Sequence, residues 1–513
     1  MQGKKTFTPK LFNTFQLSDR VPPTCFYRQL KDILDLHFLY KLTGQYYGEC
    51  GQKSLDPVVF FKICLVGYLE NIISDRKLID HCTMRLDIIF FLDYDIDEEL
   101  PWHSTVSRTR QLFPEEVFEA LFEKVLSMCV GKGMVAGHSQ AIDGAPIKAN
   151  ASMDSLELKI PADELEDHLA KVRFMSAPDR KRKALNNKAS ATDQTITASP
   201  TELQSLESRT KKWSKDQDER PGAKHINAKY TSNKTHYSPT DPDARISVKP
   251  GKARKLNYQS QLAVDTANHV ITYIGASFAD LKDNQCLPDI IAKLKPRLLK
   301  QGLFMENVLA DTGYSSGQNY AFLEREKLTS YIPPHGTYKG GPDGFTYDSQ
   351  EDAWVCSQGK SARFRRVKID KKNFNRTRIY TTQTKDCRNC PIKEKCKGLS
   401  PEKKITITYF KEEYDRAIAR VKSKTGRYMK GKRQSTVEPV FGTLTQFMGL
   451  RKINTIGIKQ ANKVMMISAM AYNLKKYLKF TQKRTTSMAR SLKKTLNHLC
   501  DLILRIFCYE MVF

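Results

Sequence analysis

Two short apolar segments, each ending in an aspartate, constrain the fold of this chain most. One segment ends at Asp143 and the other ends at Asp311. Between them the sequence predicts a β-hairpin over residues 258–275 and a helix over residues 284–299. A strand, a hairpin, a helix and a second strand in this order predict an α/β fold built on a mixed sheet.

The two aspartates are predicted to lie at the C-terminal ends of buried strands, where open α/β sheets bind their ligands. A third acidic residue, Glu438, lies in a segment with helical character. Three such carboxylates offer the oxygen ligands that hard divalent cations prefer, and they predict a two-metal site for displacement at phosphorus. For any one of these positions alone, an aspartate before a turn is the simpler interpretation.

The charge balance favours a polyanionic partner. The chain has 513 residues, with 84 lysines and arginines against 56 acidic residues and a net charge of +28. This excess favours DNA or RNA first and an anionic membrane surface second. No apolar run approaches the roughly 20 residues that span a bilayer. The N-terminus lacks the apolar core of a signal peptide, so we expect a cytoplasmic protein.

The pattern of elements predicts five parts. Residues 1–133 form a helical domain that binds DNA or supports the next domain, with helices starting at Asp56-Pro57, near Ser74 and near His103. The remaining parts are a first core segment over 134–334 with a basic insertion at 150–255, a cysteine-containing insertion over 335–410, a second core segment over 411–480 that carries Glu438, and a tail over 481–513.

The basic insertion over 150–255 contains candidate DNA contacts. Its apolar content is low, and Lys211, Lys212 and Lys215 surround a tryptophan that could stack on a base. Segments of this kind either contact phosphates or form a solvated face.

Four cysteines could hold a structural metal. Cys387 and Cys390 have a C-x2-C spacing, Cys396 follows six residues later, and Cys356 lies upstream. Four thiolates favour a tetrahedral structural zinc with no open position for catalysis. The alternative is a set of free thiols in a lysine-rich loop.

Several collinear segments carry a family resemblance over roughly residues 30–480. They are Leu55-Asp-Pro57, Ile73-Ser-Asp-Arg76-Lys-Leu78, His103-Ser-Thr105 with Arg108, Ala141-Ile-Asp143-Gly144, Thr240 to Arg245, Leu309 to Tyr314, Arg433 to Gly442, and Gly449-Leu-Arg451. In this order they resemble the DDE transposases of bacterial insertion sequences, a cut-and-paste group with a ribonuclease-H-like catalytic core.

The resemblance implies an activity, a cofactor and partners. Asp143, Asp311 and Glu438 would bind two Mg²⁺ ions, which Mn²⁺ can replace, for nicking the element's ends and joining them to target DNA. The partners would be the double-stranded DNA of terminal inverted repeats and of the target, bound by a homodimer. The basic residues expected to contact DNA, besides the three lysines, are Arg108, Arg245, Arg433 and Arg451.

The sequence also departs from that family. Related chains often carry a lysine seven residues after the catalytic glutamate, and here that position is Thr445. Two other functions therefore stay open. One is a two-metal nuclease that cuts without strand transfer, and the other is a DNA-binding copy that has lost catalysis.

Overall fold

The computed structural model describes residues 5, 15–48, 54–160, 196–197, 233, 236–247, 254–336, 340–370, 376–397 and 400–482. The chain forms two compact units. The first unit comprises Met1–Met134, Ile147–Tyr258 and Gly442–Phe513, and the second comprises Val135–Pro146 and Gln259–Phe441. None of the helices in these described ranges is long and apolar enough to cross a membrane. The five parts expected from the sequence stay predictions.

The first unit is helical in its N-terminal part. Its helices there are α1 (Leu17–Arg20), α2 (Phe26–Ile33), α3 (Phe38–Thr43), α4 (Pro57–Leu69), α5 (Asp75–Thr83), α6 (Leu86–Leu92), α7 (His103–Leu112) and α8 (Glu115–Gly131). The sequence predicted the starts of α4, α5 and α7, and all three are confirmed.

The start of α4 shows how local chemistry sets these boundaries. The Asp56 carboxylate caps the helix by accepting hydrogen bonds from the backbone N–H groups of Val58 (2.7 Å) and Val59 (3.2 Å). Pro57 at the first helical position has a fixed φ and no N–H that needs a partner. Phe60 and Phe61 in the next turn are fully buried, so the cap starts a core helix.

The first unit also contains short strands and a further helix. β2 (Glu157–Ile160) pairs with β3 (Ile196–Thr197) and with β4 (His236–Tyr237). β5 (Arg245–Ser247) pairs antiparallel with the beginning of β6 (Lys255–Asp265). A helix over 458–482 follows near the C-terminus, and residues beyond 482, with most of the predicted tail, lie outside the described residues.

The second unit is built on a mixed sheet. Its strands are β1 (Ser139–Lys148), β6 from Gln259 onward, β7 (Ile271–Phe278), β8 (Asn307–Leu309) and β9 (Thr329–Tyr331). β1 lies between β6 and β8, β7 pairs with β6, and β9 pairs with β8. β1, β8 and β9 are parallel, whereas β5 and β6 of the same sheet are antiparallel. The mixed α/β class predicted from the sequence is therefore confirmed.

Helices cover this sheet. α9 (Asp283–Lys300) and α10 (Gly317–Arg325) follow β7 and β8 in the chain. α9 buries Leu287, Ile290, Ile291, Leu294 and Leu298 in one cluster with Ile142 of β1 and Val308 of β8. The 3.6-residue spacing of these apolar positions explains why a helix forms here and which face it buries.

A second sheet follows in the chain. Antiparallel strands β10 (Phe345–Asp348), β11 (Ala353–Cys356), β12 (Ser361–Ile369), β13 (Arg376–Thr381) and β14 (Lys404–Thr408) pair in sequence order. The short helices α11 (Thr384–Arg388) and α12 (Lys393–Lys397) lie between β13 and β14 in the chain, and α13 (Lys411–Lys422) and α14 (Lys424–Phe447) come next. The core of this sheet is small, with Trp354, Ala362, Tyr380 and Ile405 fully or nearly fully buried.

Candidate active site

Asp143 and Asp311 lie at matching positions on neighbouring parallel strands. In the register of β1 with β8, Ala141 is opposite Leu309. Each aspartate follows its paired residue by two positions, so the strand geometry brings both to the same edge of the sheet. One detail of the prediction is wrong, because β1 continues through Asp143 to Lys148. The carboxylate therefore lies within the strand, just beyond the part paired with β8.

The Asp143 carboxylate has one positively charged partner, Arg433. Its Oδ1 accepts a hydrogen bond from the Gly144 N–H at 2.8 Å, and its Oδ2 accepts one from Arg433 Nη1 at 3.0 Å. Burial, with the nearby Asp311 carboxylate, raises the pKa of Asp143 from 3.8 to about 6, although Arg433 opposes the shift. The buried carboxylate of Asp143 is therefore harder to ionise than a free one, even with Arg433 beside it.

Glu438 reaches this site through Arg433. Both residues lie on α14, as the helical character of the segment predicted. Arg433 Nη2 is 3.9 Å from Glu438 Oε1, while Nη1 of the same guanidinium bonds Asp143. The Arg433 side chain is only 12% exposed, and that of Glu438 is 62% exposed. The structure thus brings Glu438 and Asp143 to one arginine that the sequence had assigned to DNA.

A fourth carboxylate, Asp283, lies between the two strand aspartates. A Cβ atom at Gly144 would come within 2.9 Å of Asp283 Oδ1. At Gly313 a Cβ atom would come within 3.0 Å of both Asp283 Oδ2 and Asp311 Oδ1. Glycine at these two positions leaves room for the carboxylates to approach the backbone.

Two glutamines and a tyrosine orient Asp283. The Nε2 atoms of Gln259 and Gln261 each donate to Asp283 Oδ1 at 3.3 Å. The Tyr314 hydroxyl donates to Gln261 Oε1 at 2.5 Å, which fixes the orientation of that amide. Burial, followed by the carboxylates of Asp283, Asp143 and Asp311, raises the pKa of Tyr314 well above its usual value. One buried tyrosine is therefore close to all three aspartates.

The sequence did not identify Asp283. It is the first residue of α9, where an acidic side chain ordinarily stabilises the helix dipole. The one available signal was its position between a predicted hairpin and a predicted helix, next to the segment that ends in Asp311. That signal does not distinguish a site residue from an ordinary first-turn acid.

The donor set suits a hard divalent cation by its chemistry, because it consists of carboxylate oxygens with excess negative charge. Burial is the main cause of the raised pKa of Asp143, and the neighbouring carboxylate of Asp311 adds to it. Among the residues that the structure describes, no three histidine, cysteine, aspartate or glutamate side chains are arranged so that they could hold a metal ion. The Arg433 guanidinium, between Asp143 and Glu438, balances part of the charge instead.

The other predicted DNA contacts lie elsewhere. Arg108, Arg245 and Arg451 belong to the first unit, and Arg108 and Arg451 are exposed. Arg245 donates to the backbone oxygens of Pro242 (2.6 Å) and Ala244 (3.2 Å). Lys211, Lys212 and Lys215 lie outside the described residues.

The four cysteines do not form a metal-holding group within the described ranges. Cys387 Sγ lies 3.1 Å from Thr382 Oγ1, and Cys356 Sγ accepts a hydrogen bond from the Lys360 N–H at 3.4 Å. Cys390 and Cys396 are half-buried free thiols. Structural zinc therefore stays a prediction.

Comparison with known families adds two matches. Residues 15–112 match the family described as Transposase domain (DUF772). Residues 355–478 match the family described as Transposase DDE domain, and this range includes Arg433 and Glu438. Among the curated proteins, none matches this chain.

Proposed function

Because the chain belongs to the DDE transposases of the insertion-sequence type, we propose that it cleaves DNA at the ends of an insertion sequence and joins them to target DNA. The observation that carries this proposal is the convergence of Asp143 and Asp311 at one sheet edge, with a pKa of about 6 at Asp143. Carboxylates placed this close repel each other, and a divalent cation removes the repulsion.

Asp143, Asp311 and Glu438 would hold the cation, with Mg²⁺ as the metal and Mn²⁺ as its substitute. Two bound ions would stabilise the charge that develops on the attacking and leaving oxygens of the reacting phosphate. The strand order, with β1 between β6 and β8, supports a ribonuclease-H-like core.

The protein's own residues have separate tasks in this proposal. Asp143 holds a proton on its carboxylate below about pH 6 and offers a negative charge above it. Arg433 bonds Asp143 and lies 3.9 Å from Glu438. It therefore keeps the carboxylate on the strand and the carboxylate on the helix close together before DNA binds. Arg433 is then a positively charged group placed where a DNA phosphate would approach.

The partners follow from the same reaction. We propose that the protein binds the double-stranded DNA of terminal inverted repeats and of the target as a homodimer in the cytoplasm. The net charge of +28 supports a DNA partner. The helical domain over 1–133 would bind the element's ends or support the catalytic core.

Two alternative functions can be distinguished from the proposed one by their reaction products. A two-metal nuclease would give nicked DNA but no joined product. A copy that has lost catalysis would bind end DNA and leave it intact. Thr445, where related chains often carry lysine, is the sequence feature that favours this second alternative.

The test is a nicking and joining assay on element-end DNA with a plasmid target and Mg²⁺. We expect Asp143→Asn, Asp311→Asn and Glu438→Gln to bind the DNA but to nick it at least 100-fold more slowly, on the order of the loss of a major electrostatic stabiliser. Their effects should be non-additive because the three residues act as one unit.

Asp265→Asn is the matched control, since Asp265 lies on β6 of the same sheet. Its carboxylate is fully buried and accepts hydrogen bonds from the Gly137 N–H (2.8 Å) and Gln140 Nε2 (2.9 Å). These bonds support a structural role for Asp265, so most cleavage should remain. If Asp265→Asn abolishes nicking while Asp311→Asn does not, the assignment of Asp311 is wrong.

A further inference from the structure

The second unit contains an open cleft. Its volume is about 960 Å³, and it is lined by the first turns of α9, by α10 and by the facing ends of β12 and β13. A smaller cavity of about 350 Å³ shares Asn284, Ser316, Gln318, Arg376 and Phe410 with it. The two cavities are therefore neighbours.

Several residues that line the cleft are neighbours in the chain of the proposed catalytic residues, although Asp143, Asp283, Asp311 and Glu438 are not lining residues themselves. Lys282 and Asn284, which line it, flank Asp283 in the chain. Ser316, another lining residue, follows the short 3-10 turn Thr312–Tyr314 that Asp311 caps. A ligand in this cleft would therefore contact the residues that adjoin Asp283 and the turn after Asp311 in the chain.

Three exposed cations line the cleft: Lys282, Arg325 and Arg376. Within the part of the chain that the structure describes, none of the three makes an ion pair. The Arg325 guanidinium lies over the Phe322 ring, 5.6 Å from its centroid, which keeps it at the rim. Among the described lining residues, Asp280 is the single acidic one. The described lining of the cleft therefore has an excess of positive charge.

We propose that this cleft binds the backbone phosphates of the DNA strand that leads away from the reacting phosphate. This inference rests on the proposed function, because it takes DNA as the substrate. Arginine, lysine and amide side chains are common partners of DNA phosphates, and such contacts position the duplex without reading its sequence. The N-termini of α9 and α10 add partial positive charge at the same place.

The charge continues beyond the cleft along β12. Ile369 at the end of this strand lines the cleft, and Arg366 and Lys368 before it are exposed. Neither of these two cations forms an ion pair with a described residue. A DNA strand in the cleft would therefore meet further positive charge where it leaves.

The first test removes the cleft charge. The triple variant Lys282→Gln, Arg325→Gln and Arg376→Gln is compared with the parent for binding to end DNA over a salt series in EDTA. Each phosphate that is no longer neutralised lowers the log–log slope by roughly 0.9, so three such phosphates lower it by about 2.7. Between 50 and 200 mM salt, the affinity of the parent should then fall about 40-fold more than that of the variant.

A charge-matched control uses cations that already have acidic partners. In the triple variant Lys295→Gln, Arg365→Gln and Arg378→Gln, each residue is ion-paired, with Glu326, Glu402 and Asp352 respectively. Its net charge equals that of the cleft variant. We expect it to keep nearly the parent slope, and equal slopes for the two triple variants would overturn the proposal.

The second test locates the phosphates. End DNA carrying one neutral methylphosphonate at successive positions is bound by the parent and by Arg376→Gln. At the phosphate that occupies the cleft, the two decreases in affinity should not add, because both remove the same interaction. Additive decreases at every position would show that the cleft is empty of DNA.

The outcomes separate this inference from the proposed function. If the parent nicks and joins DNA but the cleft variant behaves as the control does, the cleft inference alone fails. If the cleft results hold but the parent shows no metal-dependent nicking, the proposed catalysis fails and DNA binding in the cleft stands.

Discussion

Replacing Asp143 with asparagine should stabilise the metal-free protein while it abolishes cleavage. Burial and Asp311 raise the pKa of Asp143 from 3.8 to about 6, so the folded state holds this proton more tightly than the unfolded state does. As the pH rises from 3.8 to about 6, the free energy of unfolding of the parent decreases, because the carboxylate ionises less readily in its buried site than in the unfolded chain. Below about pH 4, the carboxyl is protonated in both states and the effect disappears.

The magnitude follows from the shift in pKa. A difference of about 2 pH units corresponds to about 3 kcal/mol, since each unit is worth about 1.4 kcal/mol. Asparagine keeps the size of the side chain and its acceptor for the Gly144 N–H, but it carries no charge. For a domain of 150–250 residues, about 3 kcal/mol raises the unfolding midpoint by roughly 6–12 °C.

The assay is thermal unfolding of the parent and Asp143→Asn in EDTA between pH 4 and pH 8. We expect nearly equal midpoints at pH 4 and the full difference in favour of the variant at pH 8. Asp265→Asn should show the opposite sign, about 1–3 kcal/mol of destabilisation, because asparagine cannot satisfy all the donors that this buried carboxylate accepts.

Adding Mn²⁺ gives a second comparison in the same assay. A cation bound to the folded parent at about 100 times its dissociation constant stabilises it by about 2.7 kcal/mol, and the variant should gain much less. An Asp143→Asn protein that is no more stable than the parent at pH 8 in EDTA, or a difference that does not change with pH, would refute the electrostatic argument.

Three further predictions concern residues away from Asp143. Asp283→Asn should lower the pKa of Asp143, so the acidic limb of the pH–nicking profile should move to lower pH, and Mn²⁺ should bind more weakly. The control is Asp289→Asn, at an exposed position of α9, which should change neither the pH profile nor Mn²⁺ binding. A strong zinc chelator should destabilise residues 345–400 if Cys356, Cys387, Cys390 and Cys396 hold zinc, because metal binding is coupled to local folding; a zinc content near zero with Cys387→Ser as stable as the parent would end that idea. Replacing Lys211, Lys212 and Lys215 together with glutamine should lower the salt slope of DNA binding by roughly 0.9 for each phosphate that these lysines neutralise; an unchanged slope would show that this segment is a solvated face.

The sequence predicted the parts of the fold that depend on local chemistry. The predicted helix over 284–299 corresponds to α9, and the predicted hairpin corresponds to β6 and β7. The cap at Asp56 and the apolar spacing in α9 are signals contained within a few neighbouring residues. Such signals do not need the rest of the chain.

The arrangement of the candidate site depends on contacts between distant residues, and these could not be predicted. The sequence suggested Asp143, Asp311 and Glu438 as a group, but it did not show that Arg433 bonds Asp143 across 290 positions of the chain. Nor did it indicate Asp283, whose place depends on the packing of α9 against β6 and on the absence of side chains at two glycines.

The position of the central strand β1 in the chain determines how early during synthesis the site can assemble. This strand lies between β6 and β8, yet it is made long before either partner, and Arg433 leaves the ribosome 290 residues after Asp143. At about 5–20 residues per second, this interval lasts roughly 15–60 s. A nascent chain or a prematurely terminated one therefore carries the first aspartate without its neighbours. Under the proposed function, DNA cutting would begin only after Arg433 and Glu438 have been made and have reached Asp143.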